Sequence, residues 1–332
     1  MKKILIWILF VSMIVVFSMV GSLVGCKPAA EEEAVVEEEV VAEEEEVVAE
    51  EEEFTIAFTG QSNANPFWVV LRDAAQAQAK SLGVEFIDLT TAVADSAEQV
   101  KAVENAISIK VDGIIIGAND NRAFNDVIDK AQAAGITVVA VDTAIDHPYI
   151  SFLVQTDNLA AAKPAGDYIV NNMESGKLLL LGGEIGHQTA EARKKGVTDI
   201  VEAAGIEIIF RGCDWLEDMA YTTTLNELSA NPDITAIFAA NDSMALGAIA
   251  AAKEKGVLED LLVVGFDGIQ ASLEAIKAGE QDATVKQDNV QMGEECVRSL
   301  VKLLKGEELE TDYIAIPGIL ITKDNVDDFI SK

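Results

Sequence analysis

Eight short segments of this chain each follow an apolar run and are rich in groups that could do chemistry. They are Gln61 to Trp68, Gly117 to Asn121, Asp142-Thr143, Gly182 to Arg193, Gly212 to Trp215, Asn241-Asp242, Asp267-Gly268 and Gln287-Asp288. Asn, Asp, Gln and aromatic residues dominate them. Carboxylates accept hydrogen bonds, amides both donate and accept, and aromatic rings offer flat apolar walls. The chemistry on offer is therefore recognition by hydrogen bonds and stacking. Gly182-Gly183-Glu184-Ile185-Gly186 follows an apolar run but has neither the dinucleotide fingerprint nor the Gly-Lys-Ser/Thr of a P-loop. Asp142 and Asp267 could act as a glycosidase-type pair. A site that binds hydroxyls also needs carboxylates, however, and no other catalytic constellation is visible, so no catalytic residue is expected. His147 and His187 are far apart, and Cys213 and Cys296 lack C-x-x-C spacing. Neither a metal centre nor a cofactor is expected.

The elements that must position these residues alternate regularly. Strands are expected at Phe54–Phe58, Val84–Leu89, Gly113–Gly117, Ile136–Val141 and Tyr149–Val154, separated by helices at Pro66–Leu82, Ser96–Ile109 and Asn121–Ala134. The rhythm then restarts. Strands are expected at Lys177–Leu181, Ile206–Phe210, Ile234–Ala239, Leu261–Phe266 and Ala283–Val285. Their helices are expected at Asp157–Met173, Thr189–Ala204, Glu217–Ala230, Asp242–Lys255, Ile269–Ala278 and Val290–Leu304. Such βαβ repetition implies parallel sheets covered by helices on both faces. There are too many strands for one doubly wound sheet, so two α/β lobes are expected. Ligands of such sheets bind beyond the carboxyl ends of the strands, where the polar segments fall.

The N-terminus is of a different kind. Lys2 and Lys3 precede an apolar run from Ile4 to Val20, which ends in Leu23-Val24-Gly25-Cys26. This pattern describes an export signal over residues 1–25, and its end resembles a bacterial lipoprotein processing site. Cys26 would then be the lipidated first residue of the mature protein, held at the membrane and outside the cytoplasm. The alternative is an uncleaved transmembrane helix from Ile4 to Val24, which leaves the rest of the chain outside too. Residues 26–53 contain 14 Glu and read as an extended, acidic, disordered tether. From Phe54 onward the chain still carries 43 acidic against 21 basic residues, a net charge of −22. That argues against nucleic acid, whose phosphates need a basic footprint.

Specific runs of residues carry a family likeness over Phe54 to Lys332. Asn65-Pro66-Phe67-Trp68, Ala165-Gly166-Asp167-Tyr168-Ile169 after Thr156-Asp157-Asn158, Ala240 to Ala248, and Val263 to Gly268 are those runs. The body resembles the type I periplasmic binding proteins of bacterial ABC sugar importers, most closely the ribose-binding group. A sugar-responsive repressor of the same superfamily would carry a DNA-binding head where this chain has an export segment. The resemblance implies two doubly wound parallel-sheet lobes joined by a three-strand hinge. One lobe would be residues 54–156 with 288–316, and the other 157–287 with 317–332. It implies a monomer that encloses a small sugar or polyol and delivers it to an ABC permease. A receptor module presenting the ligand to a membrane sensor is the alternative.

The resemblance also implies site roles. Phe67, Trp68 and Trp215 match the stacking aromatics, and Asn65, Asp142, Asn241, Asp267 and Gln287 match the hydroxyl-binding residues. Three departures bear on specificity. Thr143 stands where the group has an Arg, Glu191 stands where it has a second Arg with Arg193 two residues on, and Gly117 stands where it has an Asn, with Asn119 able to reach in. These departures imply a pentose, hexose or polyol other than ribose. Plainer roles compete at each position. Phe67, Trp68 and Trp215 could be packing residues, Asn65 and Asn241 helix N-caps, and Asp142 and Asp267 turn residues. Arg193 could form a surface salt bridge, and His187 could be an ordinary loop residue.

Overall fold

The computed structural model describes residues 54–330. The export segment, Cys26 and the acidic stretch lie outside the described residues. The chain starts with β1 (Thr55–Thr59), α1 (Pro66–Ser81), β2 (Glu85–Asp88), α2 (Ser96–Ser108), β3 (Gly113–Ile116), α3 (Asn125–Ala134), β4 (Thr137–Val141) and β5 (Leu153–Thr156). It continues with α4 (Asn158–Asn172), β6 (Lys177–Gly182), α5 (Gln188–Ala203), β7 (Glu207–Gly212), α6 (Glu217–Ala230), β8 (Ile234–Ala239), α7 (Asp242–Lys255), β9 (Leu262–Asp267), α8 (Gln270–Ala278) and β10 (Ala283–Lys286). It closes with α9 (Asn289–Leu304), β11 (Tyr313–Ile316) and β12 (Ile319–Thr322).

These strands form two six-stranded sheets, ordered β11-β5-β4-β3-β1-β2 and β12-β10-β9-β8-β6-β7. Their central strands are apolar without alternation, as burial on both faces demands. Ile114, Ile115 and Ile116 of β3 and Leu178 to Leu181 of β6 have no exposed surface. In the first lobe, α1 and α9 cover one face with Phe67, Leu71, Met292 and Leu300, and Val103, Phe124 and Ile128 cover the other. In the second lobe, Ala-rich α4 packs against β9 and β10, and Ala-rich α7 packs against β8 and β9.

The chain passes between the sheets three times, at Thr156–Asn158, Lys286–Asn289 and Ile316–Ile319. All pairings are parallel except β12 with β10. The reason is connectivity. The carboxyl ends of both sheets face the cleft, and β12 enters the second sheet directly from β11, so it must run backwards along β10. The alternation pattern did not reveal β11 and β12, which are four residues each. α3 starts at Asn125 rather than Asn121, leaving residues 119–122 as a loop at the cleft rim.

Candidate ligand-binding cleft

A small cavity of about 30 Å³ lies where the carboxyl ends of the two sheets meet. The first lobe contributes Gln61, Asn65, Phe67, Trp68 and Asp142 to its lining, and the second contributes His187, Thr189, Arg193, Trp215, Asn241 and Asp267. Gln287 comes from a crossing segment.

The apolar walls are two tryptophans, each bedded on a glycine. The start of α1 places Trp68, because Asn65 caps the helix by accepting from the Phe67 N–H at 3.0 Å and Pro66 opens it. Trp68 meets Phe67 edge to face at 5.3 Å. A Cβ at Gly117 would stand 2.2 Å from the Trp68 ring, so the ring fills the space that any larger residue there would need. In the second lobe, a Cβ at Gly183 would stand 2.2 Å from the Trp215 ring. Asn241 caps α7 through the Met244 N–H at 2.8 Å and donates to the Trp215 carbonyl at 3.2 Å. Capping and cleft lining are thus one role for Asn241.

The backbone is strained here. Asp142 (φ 64°), Asp214 (φ 47°), Trp215 (φ 65°) and Asp267 (φ 123°) are four of the five non-glycine residues with positive φ among the described residues. Such conformations cost about 1–3 kcal/mol each and cluster at functional sites.

The second lobe carries a closed polar network. Arg193 is 3% exposed. Its Nε donates to Asn158 at 2.8 Å, and its Nη1 donates to the Ala240 carbonyl at 2.8 Å and to Asp267 at 3.1 Å. The guanidinium also lies 3.9 Å from the Phe266 ring centre. Asp267 accepts from Gln287 at 2.7 Å, and Gln287 accepts from Thr156 at 2.7 Å on another crossing segment. Behind this, buried Asp242 holds the turn by accepting from the Gly268 and Ile269 N–H groups at 2.7 and 3.0 Å. Burial drives the Asp267 carboxyl upward, the Asp242 and Asp142 charges push the same way, and Arg193 opposes them.

The first lobe is less complete. Asp142 is 5% exposed, and its Oδ1 has no hydrogen-bond partner. Its Oδ2 accepts from the Thr143 hydroxyl at 3.2 Å. Burial raises the Asp142 carboxyl to about 6, against the pull of Arg193 and Thr143. Gln99, fully buried behind the cleft, donates to the Gly60 and Gly117 carbonyls at 3.0 and 2.7 Å and so ties the ends of β1 and β3. Facing the cavity from the second lobe, Thr189 Oγ1 and both ring nitrogens of His187 are buried without hydrogen bonds of standard geometry. Burial, then the Arg193 charge, lowers His187 to about 4, against the Ala118 carbonyl and Asp120.

Of the residues singled out from the sequence, Asn65, Phe67, Trp68, Asp142, Arg193, Trp215, Asn241, Asp267 and Gln287 line this one cavity. Glu191 and Asn119 do not. Glu191 pairs with Lys194, which lowers its carboxyl, and accepts from the Gly186 N–H at 3.4 Å. On α5, Thr189 and Arg193 are four residues apart and share a face, whereas Glu191 is turned about 200° from each. The helix period was the signal that separates them. Asn119 lines a second space of about 90 Å³ at the rim with Asp120, Asn121, Arg122 and residues 184–187. Its backbone N–H donates to Gln99 Oε1 at 3.0 Å, and its side-chain Nδ2 is buried without a hydrogen-bond partner. Arg193 is a buried network residue, not a surface ion pair. Gln61, His187 and Thr189 also line the cavity, and all lie inside the polar segments that follow strands.

The periplasmic binding protein domain family matches residues 56–308. The ribose import binding protein RbsB of Bacillus subtilis (strain 168) is 31% identical over 259 residues, covering 78% of this chain and 84% of that protein. An ABC transporter periplasmic solute binding protein from Actinobacillus succinogenes 130z, solved with bound D-allose, superposes with a TM-score of 0.78 at 27% identity, covering 83% of this chain and all of that one (100%). A Bacillus halodurans C-125 solute binding protein with bound myo-inositol gives a TM-score of 0.77 at 29% identity, covering 85% and 99%. With two parallel-sheet lobes, one cleft between their carboxyl ends and a match over most of the body, this chain belongs to the type I periplasmic sugar-binding proteins.

Proposed function

We propose that the protein is an extracytoplasmic solute receptor. It encloses one small sugar or polyol between its lobes and hands it to an ABC import permease, without chemical turnover. The observation that carries this reading is the convergence of both lobes on one cavity. That cavity has two tryptophan walls and buried polar atoms that lack protein partners: Asp142 Oδ1 and Thr189 Oγ1. Each hydroxyl of a polyol both donates and accepts, so it can satisfy such mixed groups, while C–H faces lie on the rings. Hydrogen bonds to charged groups contribute about 1.5–3 kcal/mol each. A handful supports micromolar affinity, about −8 kcal/mol, after ordering costs.

A ligand favours the closed form only by touching both lobes, and the lining is divided between them in that way. The three crossing segments are the natural hinges, and the Thr156–Gln287 bond couples two of them. Lipidation at Cys26 and the Glu-rich tether would keep the receptor concentrated at its permease. Thr143 removes one arginine fork from the pattern of the ribose group, while Arg193 still brings a guanidinium to the second-lobe side, so the ligand is a sugar or polyol other than ribose.

Thermal shift and small-angle scattering with a panel of pentoses, hexoses and polyols test this. At least one compound should raise the unfolding temperature and compact the molecule. Tightest binding to ribose would overturn the specificity argument. Absence of compaction with every compound would overturn the receptor reading. Separately, Cys26→Ala should abolish incorporation of labelled fatty acid in cells.

A further inference from the structure

The charged side chains lining the main cavity do not balance. Among the described residues these are Asp142, Asp267 and Arg193, with His187 held neutral. Arg193 is committed to Asp267 at 3.1 Å and to Asn158 and the Ala240 carbonyl. It acts on Asp142 only through space, and no ion pair joins them. Asp142 keeps one oxygen without a partner, and its neighbour Thr143 supplies a hydroxyl but no charge. Gln61 and Asn65, the other polar groups lining the first lobe, are neutral. A buried carboxylate without a cation is costly, and closing the cleft over a neutral ligand leaves that charge uncompensated.

We propose that the ligand supplies the missing cation: it is an amino-substituted sugar or cyclic polyol, whose ammonium group lies against Asp142 and whose hydroxyls meet the Arg193–Asp267 side. This inference rests on the reading of the cleft as a sugar or polyol site. An ammonium group donates three hydrogen bonds and carries the charge that Thr143 lacks. The same imbalance disfavours acidic sugars, whose carboxylates would face Asp142.

Matched pairs of probes test the proposal: glucose and glucosamine, galactose and galactosamine, and myo-inositol and an aminodeoxy-inositol, titrated calorimetrically at neutral pH. In the wild-type protein at least one amino compound should bind tenfold or more tightly than its neutral parent. In Asp142→Asn that preference should vanish, while circular dichroism and the unfolding temperature show an intact fold. If a neutral compound binds and its amino counterpart is no tighter, the proposal is overturned and the receptor reading stands. Persistence of the amino preference in Asp142→Asn overturns it as well. If no member of any pair binds, the sugar or polyol reading falls, and this inference falls with it.

Discussion

The two halves of the cleft hold similar residues, but their aspartates are in opposite states of completion. Each half presents a tryptophan lying on a glycine, Trp68 on Gly117 and Trp215 on Gly183, and each presents an aspartate with left-handed backbone, Asp142 and Asp267. Asp267 is held by Arg193 and Gln287, and Asp242 fixes its turn. Asp142 has only Thr143. Asp267 is therefore already paired within the protein, whereas Asp142 leaves a buried acceptor open. A difference of this kind separates residues that build a site from residues whose partner must come from outside.

The largest expected effect breaks the completed half. Arg193→Met leaves Asp267 buried without its cation, which should cost about 3–5 kcal/mol of stability. Calorimetric unfolding and ligand titration should show a markedly lower midpoint and lost binding.

The open half should respond with the opposite sign. A carboxyl raised from 3.8 to about 6 in the folded state corresponds to about 3 kcal/mol at neutral pH. Because the folded pKa lies above the unfolded one, this penalty is fully present above about 6 and disappears as pH falls toward 4. Ligand-free Asp142→Asn should therefore unfold at a higher temperature than wild type at pH 7.5. The gap should narrow by pH 5, as read by scanning calorimetry of both proteins across that range.

The glycine beds come next. Gly117→Ala and Gly183→Ala each force a methyl into a tryptophan ring, at a cost of about 1–3 kcal/mol. Trp68 is 3% exposed and braced by Phe67, while Trp215 is half-buried in a loop. Gly117→Ala should therefore lower stability more, while both weaken binding. Equal destabilisation would show that the two beds are equally rigid. The smallest effect is expected at Glu191→Gln, where a partly exposed pair with Lys194 is lost. Its stability should change by less than about 0.5 kcal/mol and its affinity should be unmoved. A clear loss of affinity would return Glu191 to the site.

Much of this architecture is legible in the sequence. Apolar runs such as Gly113-Ile114-Ile115-Ile116 can only be strands buried on both faces, and glycines such as Gly135 and Gly256 end helices in the left-handed conformation. Asn65-Pro66 and Asn241-Asp242 announce helix starts, and the residues after each strand carry the recognition chemistry. β11 and β12 were not legible, because they are short, lie at sheet edges and are specified by which strand they meet. Glu191 was misplaced because reading by position in the family pattern ignored the turn of α5.

The sequence by itself determined the α/β rhythm, the acidic charge and the stock of amide, carboxylate and aromatic groups, because local periodicity and composition express these directly. Tertiary structure alone decided which groups were already paired. Arg193, Asp267 and Gln287 are far apart in the chain and are joined only where β9, the start of α5 and a crossing segment converge. The same convergence leaves Asp142 buried and open, since burial and partnership depend on neighbours that local sequence does not name.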